Sequence, residues 1–237
     1  DEVEFKTDSS ILDFPGRKKT VEFLELFEER KLYVKVGMEL FYNAGPEIIK
    51  DLKGMGHRVF LDLKLHDIPN TIEHAMAALA KMDIDMCNLH AAGTREMMEA
   101  GLRGLKSAGG KRPVLLAVTQ LTSTDEETMQ RELLIEEEMN TVVKWYAMNA
   151  KAAGLDGVVC SPLEAPVIHD TCGQKFLTVT PGVRFPGGKV GDQKRVTTPE
   201  EARNLGADYI IMGRPITKAE DPVAAYRRAL KEFGIEE

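Results

Sequence analysis

The stretch Val59-Phe60-Leu61-Asp62-Leu63-Lys64-Leu65-His66-Asp67-Ile68-Pro69-Asn70-Thr71 decides the fold. Its first seven residues read as a strand. A period of two puts Phe60, Asp62 and Lys64 on one face and Leu61, Leu63 and Leu65 on the other. In a barrel the leucine face meets the surrounding helices, which leaves Asp62 and Lys64 directed inward near the C-terminal mouth. Asp67 falls just past the strand, where Pro69 discourages its continuation.

Outward from this segment, short β-branched or apolar runs alternate with longer amphipathic segments, the pattern of parallel strands joined by helices. Eight such units are expected, with strands near 11–14, 33–37, 59–65, 86–90, 114–119, 157–160, 177–180 and 209–212. Residues 20–29 repeat apolar positions at helical spacing, and Pro46, Pro199 and Pro222 sit where first-turn prolines are tolerated. The longest segments left over, 120–127 and 181–195, follow the fifth and seventh strands, on the face where a barrel builds its active site. At 237 residues the chain suits one α/β domain spanning 1–237, a (β/α)8 barrel of about 250 residues being typical. Periodicity alone also allows an open doubly wound sheet. The lack of a G-x-G-x-x-G after the first strand counts against its dinucleotide-binding version.

A net charge of −7 argues against a nucleic-acid surface, although a small anion in a local basic pocket is compatible with it. Cys87, Cys160 and Cys172 are odd in number and lack metal-ligand spacing, so buried reduced thiols are expected. The first ten residues carry neither a basic nor an apolar signal region, and no run reaches 18 uninterrupted apolar residues. A soluble cytoplasmic protein without membrane contact is the expectation.

Ionised groups inside a barrel are costly unless paired, so Asp62 and Lys64 demand partners or a function; a structural ion pair is the competing reading. Lys35 interrupts the apolar run Tyr33-Val34-Lys35-Val36-Gly37, and Asp13 interrupts Ile11-Leu12-Asp13-Phe14. Each alone could be a strand-end residue reaching solvent. Together, charges in three consecutive strands suggest an alternating Asp and Lys cluster.

D-x-K-x-x-D followed by I-P-x-T resembles the orotidine 5′-monophosphate decarboxylases, and F-L-D-L-K-L-H-D-I-P is similar to the bacterial branch. The likeness extends through Leu12-Asp13-Phe14, Val34-Lys35-Val36-Gly37-Met38-Glu39, His90-Ala91-Ala92-Gly93, Thr119-Gln120-Leu121-Thr122-Ser123, Thr180-Pro181-Gly182-Val183-Arg184 and Gly213-Arg214-Pro215-Ile216-Thr217. Ser9-Ser10 depart from the more apolar first strand usual in the family and leave the N-terminal boundary open.

The resemblance implies a TIM barrel that decarboxylates a nucleotide with no cofactor and no metal, in a homodimer with shared active sites. It implies a catalytic array of Lys35, Asp62, Lys64 and, from the neighbouring subunit, Asp67, with Ile68 and Thr71 also crossing the interface. Asp13 and Lys35 would hold ribose hydroxyls, and Thr122 would meet the pyrimidine. Gln193, Arg214 and the backbone of Gly213 would bind phosphate, with Pro181 and Arg184 nearby. The phosphate assignment has independent support, because the loops after barrel strands 7 and 8 are the usual phosphate site and Arg offers a bidentate fork. A surface salt bridge for Arg214 and an ordinary loop amide for Gln193 are the alternatives.

Other features read as ordinary. His66 and His90 are expected to be oriented or satisfied histidines rather than bases. Residues 186–191 lack the P-loop pattern and suggest a flexible lid, and Glu136-Glu137-Glu138 suggests a solvated helix face. Two rival functions share the pattern. Magnesium-dependent 3-keto-gulonate 6-phosphate decarboxylases carry D-x-K-x-x-D but typically have an acid where this chain has Lys35. A non-catalytic nucleotide-binding barrel would be expected to have lost one of the charged positions, and none is lost.

Overall fold

The computed structural model describes residues 7–12, 14–27, 30–187 and 196–235. Among them, eight parallel strands close a barrel in sequence order: β1 (Thr7–Ile11), β2 (Tyr33–Gly37), β3 (Arg58–Leu65), β4 (Met86–His90), β5 (Val114–Val118), β6 (Gly157–Val159), β7 (Leu177–Pro181) and β8 (Tyr209–Met212). The helices are α1 (Arg17–Glu25), α2 (Met38–Ala44), α3 (Glu47–Gly54), α4 (Pro69–Ala80), α5 (Thr94–Ser107), α6 (Glu126–Glu132), α7 (Met139–Ala152), α8 (Ala165–Cys172), α9 (Pro199–Asn204), α10 (Arg214–Thr217) and α11 (Pro222–Phe233). None of these is long and apolar enough to cross a membrane.

Closure gives the sheet an inner and an outer face that are both covered, and the apolar core divides accordingly. Inside the barrel, Tyr33, Phe60, Met86, Leu116, Val179 and Tyr209 pack on one another. Outside it, Leu61 and Leu63 join the helical layer, as the alternation in β3 requires. α4 buries Ile72, Met76 and Leu79 at helical spacing, and Pro69 at its first turn fixes where it starts after β3. The three cysteines are buried and unbridged, and burial pushes the Cys87 thiol up to about 12.

The N-terminal rim is anchored by one device used three times. Asp85, Asp156 and Asp208 each stand one residue before an even-numbered strand, and each carboxylate accepts the backbone N–H at or near the start of the preceding odd strand. Asp85 takes Val59 N at 2.7 Å, Asp156 takes Leu115 N at 2.8 Å and Asp208 takes Thr178 N at 2.7 Å. Each also has a basic partner: Lys53 Nζ at 2.8 Å from Asp85, a bidentate Arg112 at 2.6 and 2.7 Å from Asp156, and His169 Nε2 at 3.1 Å from Asp208.

Two expectations need correction. The first strand is Thr7–Ile11, not 11–14, because the backbone ladders to Tyr33–Lys35 and to Tyr209–Met212 set its place, and those pair polar residues as readily as apolar ones. Glu136, Glu137 and Glu138 are solvated but precede α7 instead of forming a face of it; Gln130 Nε2 donates to the carbonyls of Glu136 and Glu137.

Candidate active site

The C-terminal mouth of the barrel holds a cavity of about 230 Å³ lined by Lys35, Asp62, Lys64, Gln120, Thr122 and Pro181, among others. Val118, Val159 and Ile211 form apolar parts of its wall and belong to the inner core, so the cavity sits directly on that packed interior. An ionic cluster above a hydrocarbon floor is poorly screened, which strengthens every charge interaction within it.

Asp62 is the hub. It is 6% exposed, and both carboxylate oxygens are engaged. Lys35 Nζ lies 3.0 Å from Oδ2, Lys64 Nζ lies 2.7 Å from Oδ1, and Asn88 Nδ2 donates to Oδ1 at 2.7 Å. Burial alone would push this carboxyl up; the ammonium groups of Lys35 and Lys64, with the hydrogen bonds from Lys64 and Asn88, reverse that and hold it below the ordinary carboxylate range. The result is one buried anion held between two cations.

Local backbone chemistry builds this arrangement. Gly37 is in register with Asp62 across the β2–β3 ladder, and a Cβ there would stand 3.2 Å from Lys35 Nζ, so the missing side chain leaves room for the ammonium. Lys64 has a φ of 50°, a left-handed conformation that costs a non-glycine residue about 1–2 kcal/mol. It lies where the β3–β4 register shifts between Leu61 and Leu65. Bulges of this kind re-aim side chains and recur next to active sites.

The remaining expected residues that are described fall into three groups. Thr122, 7% exposed, and Pro181 line the cavity with the charged array. Arg184, Gly213 and Arg214 lie just beyond β7 and β8, on the same face of the barrel but outside the cavity wall; Arg184 donates from its side chain to Val183 O at 2.8 Å, and Arg214 is exposed. Asp67, Ile68 and Thr71 are exposed and also outside the cavity. Asp67 and Ile68 line a shallow groove with His66, Ala92 and Gly93, and Asp67 Oδ1 accepts the N–H of Ile68 at 2.7 Å. Asp13, Gln193 and most of the suggested lid lie outside the described residues. His90 is partly buried, and burial followed by the charges of His66 and Lys64 lowers its pKa. Among the described residues no group of three metal-ligating side chains is placed to hold an ion.

Comparison with known proteins decides the family. The model of the orotidine 5′-phosphate decarboxylase / HUMPS family matches residues 11–229. The chain belongs to that family. Curated relatives called orotidine 5′-phosphate decarboxylase include one from Bacillus cytotoxicus, 54% identical over 225 residues and covering 94% of each chain, and one from Bacillus mycoides at 53% with the same coverage. Among solved structures, an orotidine 5′-phosphate decarboxylase from Lactobacillus acidophilus superposes with a TM-score of 0.86 at 41% identity, over 97% of this chain and 99% of that one. An uncharacterized conserved protein from Geobacillus kaustophilus gives 0.86 at 47%, over 96% and 100%.

In this member of the decarboxylase / HUMPS family the first two charges of D-x-K-x-x-D reach the cavity from β3, whereas the third stays outside it. Sequence reasoning did not place Asn88, Gln120 or Cys160 in the site. Asn88 could have been found by the argument that exposed Lys35, since it interrupts the apolar run Met86-Cys87-Asn88-Leu89. Gln120 and Cys160 carry no such interruption, because each follows its strand where polar or small residues are ordinary; only the place of Gln120 in the segment after the fifth strand points toward the mouth.

Proposed function

We propose that the protein decarboxylates orotidine 5′-monophosphate to uridine 5′-monophosphate, a step of de novo pyrimidine biosynthesis, as a cytoplasmic homodimer using neither metal nor organic cofactor. The names of the relatives support the reaction. The observation that carries the chemistry is the Lys35–Asp62–Lys64 alternation in the cavity at the C-terminal mouth.

When the bond from C6 to the carboxylate breaks, its electron pair stays on C6 and CO2 leaves. No carbonyl is placed to delocalise that pair, so the reaction depends on fixed charge near C6. Lys64 supplies it as an ammonium, then transfers a proton from Nζ to C6 and regains one from solvent. Asp62 positions both lysines. Asp67 of the neighbouring subunit completes the array, which accounts for its place outside the cavity of its own chain, and Ile68 and Thr71 accompany it. Asp13 and Lys35 hold the ribose hydroxyls, and Thr122 meets the pyrimidine with Pro181 beside it. Gln193, Arg184, Arg214 and the Gly213 backbone receive the phosphate, whose binding energy organises the reacting end.

Magnesium chemistry at this site is disfavoured by the donors already on Asp62: two ammonium groups and an amide N–H occupy oxygens that a divalent ion would need. The deciding assay follows loss of the orotate absorbance after exhaustive chelation, and full activity is expected. Activity that vanishes and returns only with a divalent metal would overturn the mechanism. Tight binding of a uridine 5′-phosphate without turnover would make the protein a nucleotide-binding barrel instead.

A further inference from the structure

On β3, Asp62, Leu63 and Lys64 stand opposite a single residue of β4. The ladder pairs Leu61 with Cys87 and resumes at Leu65 with Leu89, so only Asn88 faces the three. A stretch with that excess loses backbone partners, and the Asn88 carboxamide takes their place. Its Oδ1 accepts the N–H of Lys64 at 2.8 Å, and its Nδ2 donates to Asp62 Oδ1 at 2.7 Å. Lys64 Nζ closes the ring on the same Asp62 oxygen at 2.7 Å. Asn88 is 1% exposed and lies outside the cavity wall, so it does not meet a substrate directly.

We infer that Asn88 is a positioning residue for decarboxylation: its amide holds the left-handed backbone of Lys64 and turns the Asp62 carboxylate so that the Lys64 ammonium points into the cavity. The inference rests on the reaction proposed above. Only a side chain with one acceptor and one donor at this reach does both jobs. A carboxyl keeps the acceptor toward Lys64 N but loses the donor toward Asp62, and an alanine loses both.

The charged and titratable groups near the position are Lys35 on β2, Asp62 and Lys64 on β3, His66 beyond β3 and His90 on β4; the residue in register on β5 is Leu116. An added carboxyl facing Asp62 is a pair of like charges, of which one binds a proton more tightly than usual. With that proton present, the pair reproduces the amide's N–H donor as an O–H donor. As pH rises and the proton leaves, the two carboxylates repel and the aim of Lys64 is lost.

The test compares the natural chain with Asn88→Asp and Asn88→Ala, with active sites counted by titration with a uridine 5′-phosphate ligand. Displacing a reacting group by about 1 Å can cost on the order of 10²-fold, so kcat per titrated site is expected to fall at least about tenfold in Asn88→Ala, and in Asn88→Asp once the added carboxyl has lost its proton, with KM changing much less. In Asn88→Asp, kcat should also decline with rising pH along a limb that the natural chain lacks. Unchanged kcat per site and an unchanged pH profile in the isosteric Asn88→Asp, even with lowered thermal stability, would reduce Asn88 to a structural role, whatever the fate of Asn88→Ala. A natural chain without turnover fails the proposed reaction itself and is a separate result.

Discussion

At the residue scale, the balance around Asp62 sets how the site responds to acid. Because the folded-state pKa is depressed, ionised Asp62 contributes stability above the ordinary carboxylate value of about 3.9 and loses it only as pH falls through the lower, folded value. Protonation of Asp62 therefore lies below the working range of the enzyme. Carboxyl-carbon NMR should find Asp62 ionised down to the lowest pH at which the fold survives. An inflection for this group between about pH 4 and 6 would mean that the two ammonium groups do not hold it as described. The lysines differ in kind although they share the carboxylate. Lys35 arrives from a regular strand and needs only the space beside Gly37, whereas Lys64 is aimed by an irregular backbone.

Among the elements, strand β3 shows how far the amino-acid order can be read. Alternation was enough to send its leucines outward and Asp62 and Lys64 inward, because closure of a barrel forces a two-sided strand to choose. The bulge at Lys64 was not legible: no glycine marks the left-handed residue, and the amide that supports it comes from β4. Polar β1 was misplaced for a related reason, since its position follows from neighbours on both sides and hydrophobicity gives no hint of it. The rim aspartates hide in turn-like sequence and become meaningful only through the amides they meet. Asp156→Ala should leave the Leu115 N–H and Arg112 without their partner and lower unfolding stability by about 1–3 kcal/mol in urea titration. Turnover per folded molecule should be retained, as this contact lies at the end of the barrel away from the cavity. A matching loss of turnover would show that the two ends are coupled.

For the molecule as a whole, the proposed dimer makes a quantitative demand. If Asp67 serves its neighbour, Lys64→Ala and Asp67→Ala should each nearly abolish activity alone, yet a mixed dimer carries one doubly damaged site and one intact site. Random reassembly after joint unfolding makes half the dimers mixed, so roughly a quarter of all sites should regain natural residues. No recovery despite demonstrated mixed dimers would place Asp67 in its own subunit's site. The rim anchors have a consequence at this scale too. Each aspartate joins β3 to β4, β5 to β6 or β7 to β8, and none of these carboxylate contacts bridges β4 and β5. The exposed turn at Gly109 and Gly110, between α5 and β5, thus divides the chain into two pieces that keep every such carboxylate with its amide. Exposed loop tips of this sort are the places where chains tolerate being cut or rejoined. A chain opened or rejoined at that turn would therefore keep all three aspartate anchors within continuous pieces, leaving the β4–β5 ladder, with the β1–β8 ladder, to hold the two pieces side by side.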